Sequence, residues 1–174
     1  MKKENQRIEK LCSFYVSDWH LVTMLLPYIN HKIEENSKII TILEYDIEQN
    51  LKLLLEKLNL KNEEQILSLN WKGMNLKKYS EIVEILNNEV KKGTENIILV
   101  NGCKDYVQNN NLMIEKWMKT SKLQHLKIIN FFEVTEFNNN ILEILNAHDK
   151  VLNTSGEREI EEVFEGYQKV KEAN

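Results

Sequence analysis

Residues 96–134, NIILVNGCKDYVQNNNLMIEKWMKTSKLQHLKIINFFEV, hold two short apolar segments separated by a longer amphipathic one. The apolar segments, Asn96–Asn101 and Leu126–Val134, are rich in β-branched and aromatic residues, which predicts two strands. Their hydrophobicity is nearly continuous, as in the strands of a parallel sheet that is covered on both faces. Because parallel strands need a long crossover connection, we expect Asp105–Lys119 to form the helix of a β-α-β unit.

The same alternation continues on both sides of this unit. Three more apolar segments predict strands, at Leu11–Val16, Lys38–Tyr45 and Gln65–Trp71. Apolar residues at helical spacing predict four more helices, at Asp18–Glu35, Ile47–Leu60, Leu76–Val90 and Phe137–Leu152. This order predicts an α/β fold, a three-layer α/β/α sandwich around a mainly parallel sheet of about five strands.

The length of 174 residues suits a single domain over residues 1–174, and 42% hydrophobic residues are enough for one sizeable core. Pro27 lies inside the first predicted helix and predicts a kink or break there. A turn before Gly156 predicts a separate C-terminal helix over residues 156–174. We expect its apolar stripe to pack on its own domain, and a homodimer formed through the stripe is the alternative.

The net charge and the cysteine content limit which classes of partner and which cellular compartment we expect for this chain. The net charge is −4 and basic runs are no longer than two residues, which argues against nucleic-acid binding. The sequence has neither an apolar stretch long enough to span a membrane nor a signal peptide, so we expect a cytoplasmic protein without a membrane partner. Cys12 and Cys103 are far apart in the chain and are expected to be free thiols.

Parallel sheets bind ligands beyond the carboxyl ends of their strands, so the residues that follow each predicted strand are the candidate site. Aromatic and polar residues occur together at these positions, a combination that suits a small organic ligand. The candidate ligand-binding residues are Asp18, Trp19, His20, Glu44, Tyr45, Asn70, Trp71, Asn101, Cys103 and Glu133. Solvated strand ends without a ligand are the alternative, because strand ends are polar in most α/β domains.

The turn after the first predicted strand lacks the features of a phosphate loop. Residues 15–22, YVSDWHLV, contain neither glycine nor lysine, and Asp18 stands where it would repel a phosphate. We therefore expect no nucleotide cofactor. Cys103 is the one candidate nucleophile, because it follows a strand and precedes a helix, but the favoured role for it is packing. No catalytic residue is assigned.

The four histidines, His20, His31, His125 and His148, show neither HxH nor HxxxH spacing, so we expect no metal site. His148 lies on the apolar stripe of its predicted helix, which favours a packed and hydrogen-bonded imidazole.

Two segments resemble the methanogen/methylotroph DcmR sensory family, called MEDS. Residues 14–46, FYVSDWHLVTMLLPYINHKIEENSKIITILEYD, resemble the family's opening, and Leu26–Ile29 matches its "pfi" element. Residues 129–153 resemble its closing strand, turn and helix, with Phe132-Glu133 and His148 at the matching positions. The resemblance covers about residues 11–155.

The resemblance implies a RecA/Rossmann-like fold with a degenerate or absent phosphate loop. It also implies the sensing of hydrocarbon derivatives or related small molecules, often through coupled DNA-binding or kinase modules. The chain departs from the family around Glu34-Glu35-Asn36, where the family has a glycine. We expect no attached output domain, so signalling would need a partner protein on a separate chain.

Together these features predict a non-catalytic sensory or regulatory module that binds a small organic ligand and signals through a partner. One alternative is a protein-interaction or scaffold domain whose old ligand site is closed by Trp19 and Trp71. A residual nucleotide-dependent enzyme or a thiol enzyme is the least favoured alternative.

Overall fold

A computed structural model describes residues 5–168, in which one six-stranded sheet lies between two layers of helices. The strands are β1 (Arg7–Tyr15), β2 (Lys38–Leu43), β3 (Asn96–Asn101), β4 (His125–Glu133), β5 (Lys150–Asn153) and β6 (Gly156–Glu159). The helices are α1 (Asp18–Glu34), α2 (Glu48–Lys57), α3 (Glu63–Leu67), α4 (Tyr79–Glu89), α5 (Lys104–Thr120), α6 (Phe137–Asn146) and α7 (Ile160–Val163). The predicted α/β/α sandwich is thereby confirmed.

The strand order is β2-β3-β4-β1-β5-β6, and among the strands of the described residues only β6 runs antiparallel to its neighbour. β1 and β4 form the longest pairing, with Arg7 opposite His125 and Tyr15 opposite Glu133. The chain goes from β1 to the distant edge strand β2 and returns through β3 and β4 before it passes β1 to reach β5. The direction of winding therefore reverses between β1 and β4, which makes their carboxyl ends the topological switch point.

Both faces of the sheet are buried, which explains the nearly continuous hydrophobicity of its strands. The first face, on which Leu11 and Tyr15 lie, packs against α1, α2 and α3. The second face, on which Cys12 and Phe132 lie, packs against α4, α5 and α6. The connections that leave β1 and β4 consequently go to opposite faces of the sheet.

The strand predicted at Gln65–Trp71 is wrong. The segment forms α3 and a turn, and the Trp71 indole N–H donates a 2.8 Å hydrogen bond to the Ile66 carbonyl inside the first-face core. Residues 70–74 then run along the outer edge of β2, where the Thr41 hydroxyl donates to the Asn70 carbonyl and the Met74 N–H donates to the Leu43 carbonyl. Ile66 and Trp71 of this segment are buried beside the sheet, not within it, whereas Leu67 is exposed.

The C-terminal prediction also needs correction. The helix expected to reach Leu152 ends at Asn146, and β5 follows it beside β1. The predicted C-terminal helix is present as α7, but it covers Ile160–Val163, because Gly156–Glu159 forms β6; residues 169–174 lie outside the described residues. The sheet therefore has six strands instead of about five.

The structure confirms the expected packing of the C-terminal apolar stripe but shows no break in the first helix. The terminal stripe packs on its own domain, because Ile160, Phe164 and Tyr167 all join the second-face core. A kink or a break was expected at Pro27, and α1 continues through this residue without a break. Beyond α1, Asn36 has a φ of 62°, the left-handed conformation in which asparagine is the usual substitute for glycine.

Both cysteines are free thiols, as expected. Desolvation by burial raises the pKa of Cys12 to about 12, so this thiol stays protonated and packs as an apolar group. Within residues 5–168, no helix combines the length and the apolar character that crossing a bilayer requires.

Candidate functional site

The carboxyl edge of the sheet is organised around Glu44, the residue that follows β2. Its Oε1 accepts a 3.0 Å hydrogen bond from the backbone N–H of Cys103, and its Oε2 lies 3.8 Å from the Cys103 sulfur. Cys103 is the N-cap of α5 and makes no capping bond with its own side chain. A carboxylate from the neighbouring strand therefore occupies the positive end of α5, the position at which such folds bind an anion.

A second polar contact crosses the sheet above β4. The Asn101 side-chain N–H donates a 2.8 Å hydrogen bond to the Tyr15 hydroxyl, although β4 separates β1 from β3. Both side chains are buried, and no group of residues 5–168 donates a hydrogen bond to Asn101 Oδ1. An unpaired buried amide oxygen is costly, and such atoms are concentrated at functional sites and at water positions.

Two tyrosines flank the Glu44 carboxylate. Desolvation and the nearby Glu44 raise the pKa of Tyr45 and that of Tyr106 to about 12, so both phenols are neutral hydrogen-bond donors. Tyr106 donates a 2.6 Å hydrogen bond to the Met74 carbonyl, whereas Tyr45 is 45% exposed. Gly102 lies between these groups, and a Cβ at this position would come within 2.8 Å of both Glu44 and Tyr106.

The start of α1 is also capped by its own residues. Ser17 Oγ accepts a 3.2 Å hydrogen bond from the His20 N–H, and His20 Nδ1 accepts a 3.0 Å bond from the Val16 N–H. This reciprocal pair resembles a capping box in which histidine replaces the usual glutamate. Trp19, in the first turn of α1, is 49% exposed.

The structure brings four of the predicted residues together, namely Glu44, Tyr45, Asn101 and Cys103. Asp18, Trp19 and His20 lie at the start of α1, and Glu133 is exposed at the end of β4. Asn70 and Trp71 lie at the outer edge of β2, where the Trp71 side chain belongs to the first-face core.

A buried polar cluster on the second face was missed as a unit by sequence reasoning. Asn130 of β4 is hydrogen-bonded both to Asn111 of α5 and to His148 after α6, beside a cavity of about 290 Å³. The expectation of a packed and hydrogen-bonded His148 is confirmed, although the residue lies beyond the end of its helix. The detectable signal was Asn130, a lone amide within the apolar run Ile128–Phe132.

A wider cleft of about 670 Å³ lies at the opposite, amino edge of the sheet. Several of its charged groups are paired, since Lys127 lies 3.5 Å from Glu95 and 3.9 Å from Glu9. This cleft is therefore lined by ion pairs that join neighbouring strands.

The fold and the carboxyl edge of the sheet define an α/β sandwich protein. At this edge, the N-termini of α1 and α5 are capped by the protein's own side chains, Ser17 and Glu44. No family model matches the chain, and no curated protein is recognisably similar to it.

Proposed function

We propose that this chain is a non-catalytic regulatory module that binds a small organic ligand at the carboxyl edge of its sheet and signals through a partner protein. The observation that carries the proposal is the Glu44 carboxylate at the start of α5. A helix N-terminus attracts phosphate by its exposed N–H groups and its partial positive charge. With Glu44 already there, an incoming phosphate meets a negative charge, which favours a ligand without phosphate.

The aromatic residues at this edge support an organic ligand. Trp19 and Tyr45 are each about half exposed, at 49% and 45%, and so offer apolar ring surface to a small molecule. Glu44 and the Tyr45 hydroxyl provide polar groups to orient it. Ligand pockets commonly combine apolar ring surface with a few such groups.

A non-catalytic role is supported by the contacts of the two candidate catalytic side chains. The Cys103 thiol lies against a carboxylate that also caps a helix, not against an imidazole base. The Nδ1 lone pair of His20 is used by the Val16 N–H, within the cap of α1. Both groups therefore serve local structure, whereas nucleophilic catalysis needs a thiol or hydroxyl beside a free base.

Thermal-shift measurements on the full chain test the proposal. The probes are small alcohols, ketones and halogenated hydrocarbons, with magnesium-ATP as the opposing probe. A ligand that binds only the folded state raises the melting temperature by mass action. We expect a rise with an organic probe that is lost in Trp19→Ala or Tyr45→Ala and kept in Leu142→Ala, an exposed position on α6. Stabilisation by magnesium-ATP, or an organic effect equal in all three variants, would contradict the proposal.

A protein-interaction domain without a ligand is the second candidate function. Val16, directly after β1, is 66% exposed and precedes Trp19 by three residues in the chain, so apolar surface is available to a protein partner at the same edge. Native mass spectrometry of the purified chain separates the two functions. A retained small molecule favours the ligand-binding module, whereas a ligand-free chain unaffected by every organic probe favours the interaction domain.

A further inference from the structure

We propose that the cavity between α5 and α6 is a second binding site, for a small uncharged organic molecule that carries an N–H or O–H donor. The cavity measures about 290 Å³ and lies over the second face of the sheet, and neither Glu44 nor Cys103 is among its lining residues. At the ~30 Å³ that one water occupies in the liquid, it can hold roughly ten water-sized groups. Its apolar lining includes Val107, Leu112, Phe132 and Ile144.

Three buried polar side chains meet beside this cavity. The side chains of Asn111 and Asn130 donate to each other's amide oxygens at 2.8 and 2.9 Å. The second N–H of Asn111 donates to the Val107 carbonyl at 2.8 Å, and the second N–H of Asn130 lies 2.9 Å from His148 Nε2. Each amide N–H of the two asparagines therefore has a partner within the protein.

The tautomer of His148 follows from its contacts. His148 Nδ1 lies 2.6 Å from the Ile144 carbonyl, which can only accept a hydrogen bond, so Nδ1 carries the proton. Nε2 is then the acceptor for Asn130, in agreement with the orientation of that amide. The remaining hydrogen-bonding capacity of the two asparagines is the second lone pair of each amide oxygen.

This arrangement selects the class of ligand. Because the asparagine amides keep acceptor capacity and no spare donor, they favour a molecule that donates a hydrogen bond over a carboxylate or a phosphate. The charged side chains at the cavity balance one another, since Lys10 pairs with Glu115 and Lys104 pairs with Glu143. An uncharged amide or alcohol with an apolar body therefore fits both the lining and the polar cluster.

Stability alone does not account for the cluster. Apolar side chains of similar volume usually fill a core at least as well as a buried polar network, which has to satisfy every one of its groups. Here the network lies on two central strands' shared face, since Asn130 of β4 is the register partner of the buried Cys12 of β1. A polar network placed beside a cavity, in the middle of an apolar face, is instead what recognition of a polar ligand requires.

The test compares benzamide with acetophenone, which has the same shape and carbonyl group but a methyl group in place of the amide nitrogen. Proton–nitrogen correlation spectra of the labelled full chain report binding at the side-chain amides of Asn111 and Asn130. We expect saturable shifts of these resonances with benzamide, and a dissociation constant at least about tenfold lower than that of acetophenone, because only benzamide donates to the amide oxygens.

A matched pair of variants tests whether benzamide binds in the cavity between α5 and α6. Leu112 lines the cavity and Leu142 on α6 does not, and both side chains are 64% exposed, so tryptophan at either position leaves the core intact. Leu112→Trp should weaken benzamide binding at least about tenfold by filling the mouth, and Leu142→Trp should leave it unchanged. Absence of saturable benzamide binding, equal affinity for acetophenone, or equal effects of the two variants would overturn the proposal.

Discussion

The carboxylate of Glu44 lies 3.0 Å from the backbone nitrogen of Cys103, the N-cap residue of α5. A capping contact usually comes from a residue within the same helix, as in the capping box. Here it comes from the loop after β2, so one side chain joins the end of an edge strand to the start of the helix that follows β3. Local order at this edge therefore depends on a contact between residues that are far apart in the chain.

Removal of the Glu44 carboxylate should destabilise the fold. We expect Glu44→Ala to lower the free energy of unfolding by about 1–2 kcal/mol, because a charge-assisted hydrogen bond at a helix N-terminus is lost. Glu44→Gln should cost less, since its amide oxygen can still accept the Cys103 N–H. Urea denaturation measures both, with Glu84→Ala at an exposed position of α4 as the control. Equal midpoints for Glu44→Ala and Glu84→Ala would rule out the capping role.

A methyl group at Gly102 should also be costly. The Cβ of Gly102→Ala would lie 2.7 Å from Tyr106 Cδ1 and 2.8 Å from Glu44 Cβ. Tyr106 cannot easily move aside, because its hydroxyl is held by the Met74 carbonyl. We expect a loss of about 1–3 kcal/mol in the free energy of unfolding, which is typical of overpacking. An unchanged urea midpoint would mean that this edge opens more freely than the contacts indicate.

The two asparagines of the second face should be energetically coupled. Asn130→Leu removes the partner of both Asn111 and His148, so we expect a loss of about 1–3 kcal/mol. The double variant Asn111→Leu/Asn130→Leu should cost less than the sum of the two single variants, because it no longer leaves one amide facing an apolar side chain. A double-mutant cycle by urea denaturation measures this coupling, and strict additivity would contradict it.

Acid should weaken the ion pairs at the amino edge. Although desolvation alone would raise it, the nearby Lys127 and Lys32 hold the pKa of Glu95 below its usual value. A carboxyl group with a lowered pKa in the folded state stabilises the fold above the unfolded-state pKa of about 4.3, and this contribution disappears as the pH falls through the folded-state value.

Glu95→Gln should therefore be less stable than the unchanged chain at pH 7, and the difference should shrink as the pH falls below about 4.3. Urea denaturation at a series of pH values measures the difference. Glu56→Gln, at an exposed position of α2, is the control and should track the unchanged chain at every pH. A Glu95→Gln difference that is independent of pH would show that the carboxylate charge is not what stabilises this edge.

The central strands were predictable from the sequence because each is a nearly continuous run of apolar residues. β3 and β4 are buried on both faces, so their apolar runs leave little choice of structure. The segment Gln65–Trp71 has a similar composition, but a short apolar run cannot by itself distinguish a strand from a buried helical turn. β5 has only four residues and continues the apolar stripe of α6, so its sequence was indistinguishable from one more turn of helix.

The site was predictable in place but not in its contacts. The rule for parallel sheets indicated Glu44, Asn101 and Cys103 as residues at strand ends, yet only the packing of β2 beside β3 shows that Glu44 caps α5. The burial of Trp71 depends on how residues 70–74 pass the edge strand, which no local pattern encodes.

The segment that runs along β2 also bears on how the protein behaves at high concentration. Exposed strand edges allow copies of a protein to join through their backbones. Residues 70–74 occupy the edge of β2, and the opposite edge is β6, four residues long, with charges at Glu157, Arg158 and Glu159. A short charged strand at one edge, and a neighbouring segment at the carboxyl end of the other, both disfavour growth of the sheet from one molecule into the next, so self-association of this chain should proceed mainly through side chains.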